Sequence, residues 1–320
     1  MGVGEVWQQG CFPLALGVNA LTATDSRGRL QGVLVYLVTP FLSTADLPLD
    51  EKGLIDNVQF LLDNNVSAVV ACGGTGEYWS LAEEEYRRVL TIVKDRCSAT
   101  TLVIAAVGGS LQNAVRQTVY AEACGCDAIT LLSPLARVSE SGHVQYAKAV
   151  AAVTSLPIVV YVSTPVSDTA LAQLLEIENV AALKDTTGDL WWFRRSIRFV
   201  GERANWIAEA ESTALYYLLH GAAGFTSRVA NFAPALSLEL YNACRSGNYK
   251  RAAMIQRALD PFAELRAKSG NQVPVVKAAL DLIGQKGGPV RLPLMDLSAG
   301  DRQELERLIA SLPTTVDLQA

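Results

Sequence analysis

The sequence predicts an α/β protein, a (β/α)8 TIM barrel followed by a C-terminal helical extension. Three observations predict it. Short apolar runs bounded by turn residues alternate with longer amphipathic helical patterns. Eight such runs, each followed by a helical stretch, fall within roughly 200 residues, the count and size of a barrel. No G-x-G-x-x-G turn follows the first run, where a doubly wound dinucleotide fold would carry it. Residues 1–30 read as an N-terminal extension, 31–229 as the barrel, and 230–320 as a helical extension packed on it.

The strands are expected at 32–38, 68–72, 101–107, 127–132, 157–162, 180–184, 205–208 and 222–226, each rich in Val, Ile, Leu and Ala. Between them, stretches such as "DEKGLIDNVQFLLDNN", "AEEEYRRVLTIVKDRC" and "SLQNAVRQTVYAEACG" place apolar residues three and four apart. That spacing gives a helix one buried face. Many of these stretches stop at Gly, Asn or a Pro-led strand. After Thr226 the rhythm changes to helix upon helix: "APALSLELYNACRSG", "NYKRAAMIQRALDPFAELRAK", "PVVKAALDLIG" and "AGDRQELERLIASL".

Composition narrows the function. The chain has 320 residues, half of them hydrophobic, with net charge −5 and a pI near 5.2. An acidic balance favours neither nucleic acid nor an anionic membrane as partner. The six cysteines (11, 72, 97, 124, 126, 244) show no disulfide framework. Cys124-Gly-Cys126 is too tight and isolated for a zinc site, with only His143 and His220 to join it. Reduced thiols, a cytoplasmic location and no metal are therefore expected. The early run "CFPLALGVNALTA" lacks preceding basic residues and is too short to span a bilayer.

In a barrel, chemistry belongs at the C-terminal ends of the strands. After the second run, "GGTGE" places Gly73, Gly74 and Thr75 where free amides and a hydroxyl can cradle an anion. Tyr161 ends the fifth run, and Lys184 ends the sixth, an apolar strand closing on a residue seldom buried. Neighbouring strand ends lie about 5 Å apart, so the phenol and the amine share one mouth. Apolar walls favour the neutral amine, which attacks ketones to form an iminium, an electron sink; a nearby phenol shuttles the protons. A carboxylate cradle beside a ketone-reactive amine describes a 2-oxo acid substrate such as pyruvate.

These pieces resemble the dihydrodipicolinate synthase/N-acetylneuraminate lyase family of class I aldolases. The likeness runs from about residue 32 to 308 and rests on "GVLVYLVTPF", "GGTGE", "VVYV", "ALKDTTGDL" and "GAAGFTSRVANFAP" in order. The resemblance implies a TIM barrel, usually a homotetramer, that works without metal or organic cofactor; a homodimer is the other assembly expected. It also implies Lys184 as the Schiff-base lysine, Tyr161 as the proton relay, and Gly73, Gly74 and Thr75 as the holder of the substrate carboxylate.

Within the family, this chain departs from the synthases. It has Gly74 where they carry a first threonine, Leu135 near their strand 4 tyrosine, and Val166 in place of an arginine. It is similar instead to the 5-dehydro-4-deoxyglucarate dehydratases, through "GGTGEYWSL", the span from Ser227 to Pro234, and "GGPVRLPLMDL". By that resemblance Ser227 would position a water or a substrate hydroxyl. The expected activity is dehydration of a 2-oxo-3-deoxy sugar acid, with or without decarboxylation. Pyruvate-dependent aldol or synthase chemistry is the alternative, and a drifted 2-oxo-acid-binding barrel is the non-catalytic one. Glu209 stands where the family generally has glycine, at the substrate-binding mouth, as a general acid/base or as a partner that neutralises Arg228 or Lys184. A carboxylate facing Lys184 would hold the amine charged.

Overall fold

In the computed structural model, which describes residues 28–133, 138–270 and 272–313, the apolar runs form parallel strands. They are β1 (Gly32–Tyr36), β2 (Ala68–Ala71), β3 (Leu102–Val107), β4 (Ala128–Leu131), β5 (Ile158–Val162), β6 (Val180–Asp185), β7 (Asn205–Ala208) and β8 (Gly224–Ser227). Each pairs with the next in sequence, and β8 returns to β1, so the sheet closes into a barrel with helices between its strands.

The crossover helices are α1 (Glu51–Asp63), α2 (Glu83–Arg96), α3 (Leu111–Ala123), α4 (Glu140–Ala151), α5 (Asp168–Leu175), α6 (Leu190–Val200) and α7 (Glu211–Leu219). Side-chain oxygens start several of them: Ser110, Ser139 and Ser167 each accept an amide of the first turn. Among the described residues, four further α-helices follow β8, namely α8 (Pro234–Arg245), α9 (Tyr249–Lys268), α10 (Val273–Leu282) and α11 (Ala299–Ala310).

Strand alternation splits the apolar residues into two layers. Leu34, Val70, Ile104, Val159 and Ile207 fill the barrel, while Val33, Val69, Val103 and Val160 pack outward against the helices. The seam between β8 and β1 requires glycine. A Cβ on Gly224 would lie 2.1 Å from the Gly32 carbonyl oxygen, closer than any side chain can stand.

The observed strands sit within a residue or two of expectation. The eighth begins later, at Gly224, because the Ala222 amide closes α7 on the Tyr217 carbonyl. The sixth runs one residue further, pairing Asp185 with Val162. Residues 1–27 and Leu135 lie outside the described residues. Among the described residues, no helix is long and apolar enough to cross a membrane.

Candidate active site

Two neighbouring strands aim the central pair of side chains. Tyr161 of β5 and Lys184 of β6 are direct register partners, and in a parallel ladder paired residues project to the same face. The face is decided by an irregularity. Ile158 pairs with Val180, but Val159 pairs with Ala182, so β6 carries one extra residue, Ala181. Val180 packs outward, Ala181 and Ala182 both face the barrel, and Leu183 packs outward again. Strict alternation from Val180 would have sent Lys184 outward; the bulge returns it to the interior.

Lys184 is 2 % exposed, and its Nζ donates to the Tyr161 hydroxyl at 2.8 Å. The amine lies 4.2 Å from the ring centroids of both Tyr161 and Tyr36. Burial drives the Lys184 pKa well below the ordinary lysine value, and the Arg228 charge pushes it the same way, against an opposing pull from Glu209. Burial also raises the Tyr161 pKa well above the usual phenol value, so the hydroxyl keeps its proton.

Tyr36, which ends β1, was not picked out from the sequence, although its strand-end place matches that of Tyr161. Its hydroxyl accepts from Tyr161 at 2.9 Å. Tyr36 also joins the glycine loop to the amine: a Cβ on Gly73 would meet the Tyr36 ring at 2.7 Å. Glycine at 73 thus lets the ring lie between the loop and Lys184. Next to it Gly74 is half-buried and Thr75 is 2 % exposed. The amides of Gly76, Glu77 and Tyr78 bond back to the Gly73 and Gly74 carbonyls. Those of Gly74 and Thr75 donate to no group among the described residues, which suits an anion cradle.

The loop is held from beneath by its own glutamate. Glu77 is fully buried in the left-handed region (φ 55°) and accepts from Lys277 of α10 at 2.5 Å and from the Arg291 amide at 2.9 Å. Lys277 also donates to the Pro289 carbonyl at 2.7 Å. The C-terminal helices therefore anchor the cradle of β2.

At the other side of the mouth, Arg228 and Glu209 pair at 3.3 Å, the arginine side chain 11 % and the glutamate 43 % exposed. The sequence raised two readings of Glu209, and the structure favours pairing with Arg228. Glu209 does pull the Lys184 pKa upward, the direction expected of a carboxylate near the amine, but burial and Arg228 push it further down.

Ser227 is a second correction. Its side chain is fully buried outside the barrel, where the hydroxyl donates to the Glu211 carboxylate, contacts Ser237 at 3.1 Å and accepts from the Ala230 amide at 2.8 Å. So engaged, it is not brought to the mouth with Lys184. Glu211, missed by sequence reasoning, also accepts the amides of Arg228 and Val229, each at 3.0 Å, and fixes the loop that carries Arg228. Asn231 ties that loop to β1 by donating to the Tyr36 carbonyl at 2.9 Å.

Val166 is likewise packed in the outer core, with its carbonyl accepting from the Trp192 indole at 2.9 Å. Among the described residues, no group of three His, Cys, Asp or Glu side chains is placed to hold a metal. The described cysteines are unpaired thiols.

A closed parallel barrel whose strand ends converge on a buried amine, a phenol and a glycine loop is the frame of an enzyme, and of the barrel aldolases and lyases in particular. The chain belongs to the Dihydrodipicolinate synthetase family, whose sequence profile matches residues 29–312. It is 36 % identical over 289 residues to a Methylobacterium radiotolerans protein named "Probable 5-dehydro-4-deoxyglucarate dehydratase", covering 87 % of this chain and 94 % of that one. It is 32 % identical over 289 residues to the 4-hydroxy-tetrahydrodipicolinate synthase of Methanothrix thermoacetophila, covering 88 % and 97 %. The crystal structure of dihydrodipicolinate synthase from Oceanobacillus iheyensis superposes with a TM-score of 0.87 at 30 % identity, over 90 % of this chain and 98 % of the other.

Proposed function

We propose that the protein is a Schiff-base-forming lyase that dehydrates a 2-oxo-3-deoxy sugar acid. One observation carries the reading: a buried amine, its pKa depressed, 2.8 Å from a phenol at the barrel mouth. The dehydratase name borne by a 36 % identical relative supports the reaction type.

The substrate carboxylate docks on the amides of Gly74 and Thr75 and the Thr75 hydroxyl. The Lys184 lone pair attacks the C2 ketone, and the carbonyl oxygen takes a proton to give a carbinolamine. Tyr161 relays the nitrogen's proton to that hydroxyl, which leaves as water, and an iminium forms. The cationic nitrogen acidifies C3. Loss of the C3 proton gives an enamine, whose electrons expel the C4 hydroxyl; Tyr161 relays that proton to the departing oxygen, which leaves as a second water. Hydrolysis of the unsaturated iminium restores Lys184. Stabilising charge in a dry, prearranged site lowers the barrier.

The synthase name of the 32 % identical relative supports a second reading, pyruvate-dependent aldol chemistry through the same iminium. The enzyme works in the cytoplasm, in keeping with the unpaired cysteines among its described residues, and by family resemblance as a homotetramer, with a homodimer as the alternative.

Borohydride trapping read by intact mass tests the proposal. The protein is incubated with pyruvate and, separately, with 2-oxo-3-deoxy sugar acids, alongside Lys184→Ala. A Lys184-dependent adduct is expected, with the sugar acids turning over. Folded protein that traps none of them would overturn the reading and leave a 2-oxo-acid-binding barrel.

A further inference from the structure

The hydrogen-bond chain that begins at Lys184 continues past Tyr161. Lys184 Nζ donates to the Tyr161 hydroxyl, and Tyr161 donates in turn to the Tyr36 hydroxyl at 2.9 Å. Tyr36 is 4 % exposed, and its phenol interacts with the hydroxyl of Thr130, an inward residue of β4. Thr130 in turn points its own hydroxyl at the Val159 carbonyl, 3.4 Å away.

The direction of this chain has a chemical consequence. A neutral amine accepts a hydrogen bond better than a phenol does, so a Tyr161 O–H left to itself would turn to Lys184 Nζ. It would then cover the lone pair that has to attack a ketone. With Tyr36 taking the Tyr161 proton, Lys184 is instead the donor and its lone pair stays uncovered. A phenylalanine at 36 would fill the same space and present the same ring to the amine. Only the hydroxyl supplies the acceptor.

We propose that Tyr36 is a positioning residue, whose hydroxyl draws the Tyr161 proton away from Lys184 and keeps the amine open to the substrate ketone. The inference rests on the Schiff-base reading above and adds a second phenol that acts only through the first.

The test is a double-mutant cycle on the rate of borohydride trapping with pyruvate as probe, using Tyr36→Phe, Tyr161→Phe and the pair. Tyr36→Phe should slow trapping at saturating pyruvate by about tenfold, the worth of one hydrogen bond, and leave the half-saturating concentration unchanged. In the Tyr161→Phe background, the same change should have less than about a twofold effect, because the group it steers is gone. A packing role for Tyr36 predicts losses that multiply in the pair, and that result would overturn the proposal. So would a Tyr36→Phe variant that traps at the wild-type rate. If Tyr36→Phe does not fold, Thr130→Val must show the same dependence on Tyr161 or the proposal fails. A wild-type protein that traps no 2-oxo acid overturns the Schiff-base reading itself, whereas a trapping wild type with an unaffected Tyr36→Phe overturns this inference alone.

Discussion

Tyr161 and Lys184 face each other across the β5–β6 ladder, and the lysine amine, 2 % exposed, donates to the tyrosine hydroxyl at 2.8 Å. The unfolded chain offers the same amine to water. The site therefore destabilises the fold at the place where it gains reactivity.

That tension gives the first prediction. The folded pKa of Lys184 lies below the unfolded value, so the unfolded chain binds the proton more tightly. Stability should rise with pH between the two values, and the full penalty stands below the folded one. Lys184→Met, of similar volume, should abolish the borohydride adduct and stabilise the protein by about 1–2 kcal/mol at neutral pH. Urea unfolding of both proteins checks this, and a less stable variant would contradict it.

Charges at the mouth should move the pH dependence in opposite directions. Glu209 raises the Lys184 pKa and Arg228 lowers it. Removing the carboxylate in Glu209→Gln should shift the acid limb of imine formation to lower pH, since the amine then sheds its proton more readily. Arg228→Gln should shift it to higher pH. Trapping rates across a pH series would show both, and shifts of the same sign would refute the assignment.

The pair beneath the cradle should matter to stability more than any surface ion pair. Lys277 and Glu77 are each at most 1 % exposed. Glu77→Gln or Lys277→Met leaves one buried charge without its partner and should cost about 3–5 kcal/mol. Replacing both together should cost less than the sum. Denaturant midpoints of the three variants decide the matter; single changes below about 1 kcal/mol would argue that water reaches the pair.

Gly73→Ala tests whether the loop and the amine are mechanically joined through Tyr36. The new methyl would press on a ring 2.7 Å away. It should destabilise the fold by about 1–3 kcal/mol and slow trapping, because the displaced ring flanks Lys184. Trapping at the wild-type rate would show that Tyr36 moves freely of the amine.

Much of this architecture was legible in the chain. The alternation of apolar runs with helical spacings carries the barrel, since a parallel strand buried on both faces must be apolar throughout. The strand-end placement of Tyr161, Lys184 and the "GGTGE" turn carries the shared mouth, because register in a barrel brings strand ends together.

Other features depend on contacts between residues far apart in sequence. Ser227 lies at a strand end as Lys184 does, yet strand-end position does not reveal which face a side chain takes. Its hydroxyl turns out toward Glu211. Glu77 reads as one more loop carboxylate until Lys277, 200 residues later, is folded against it.

The sequence by itself determined the barrel, its helical extension and the inventory of amine, phenol and glycine loop, because these follow from local periodicity and from residue chemistry. Only the tertiary structure decided that Lys184 points inward, through the extra residue Ala181 opposite the β5 ladder. It alone brought Tyr36 of the first strand onto Tyr161 of the fifth, and set Arg228 against Glu209. The reason is physical. A strand's parity is two, so one inserted residue reverses every later side chain, and that insertion is a property of the pairing rather than of the strand.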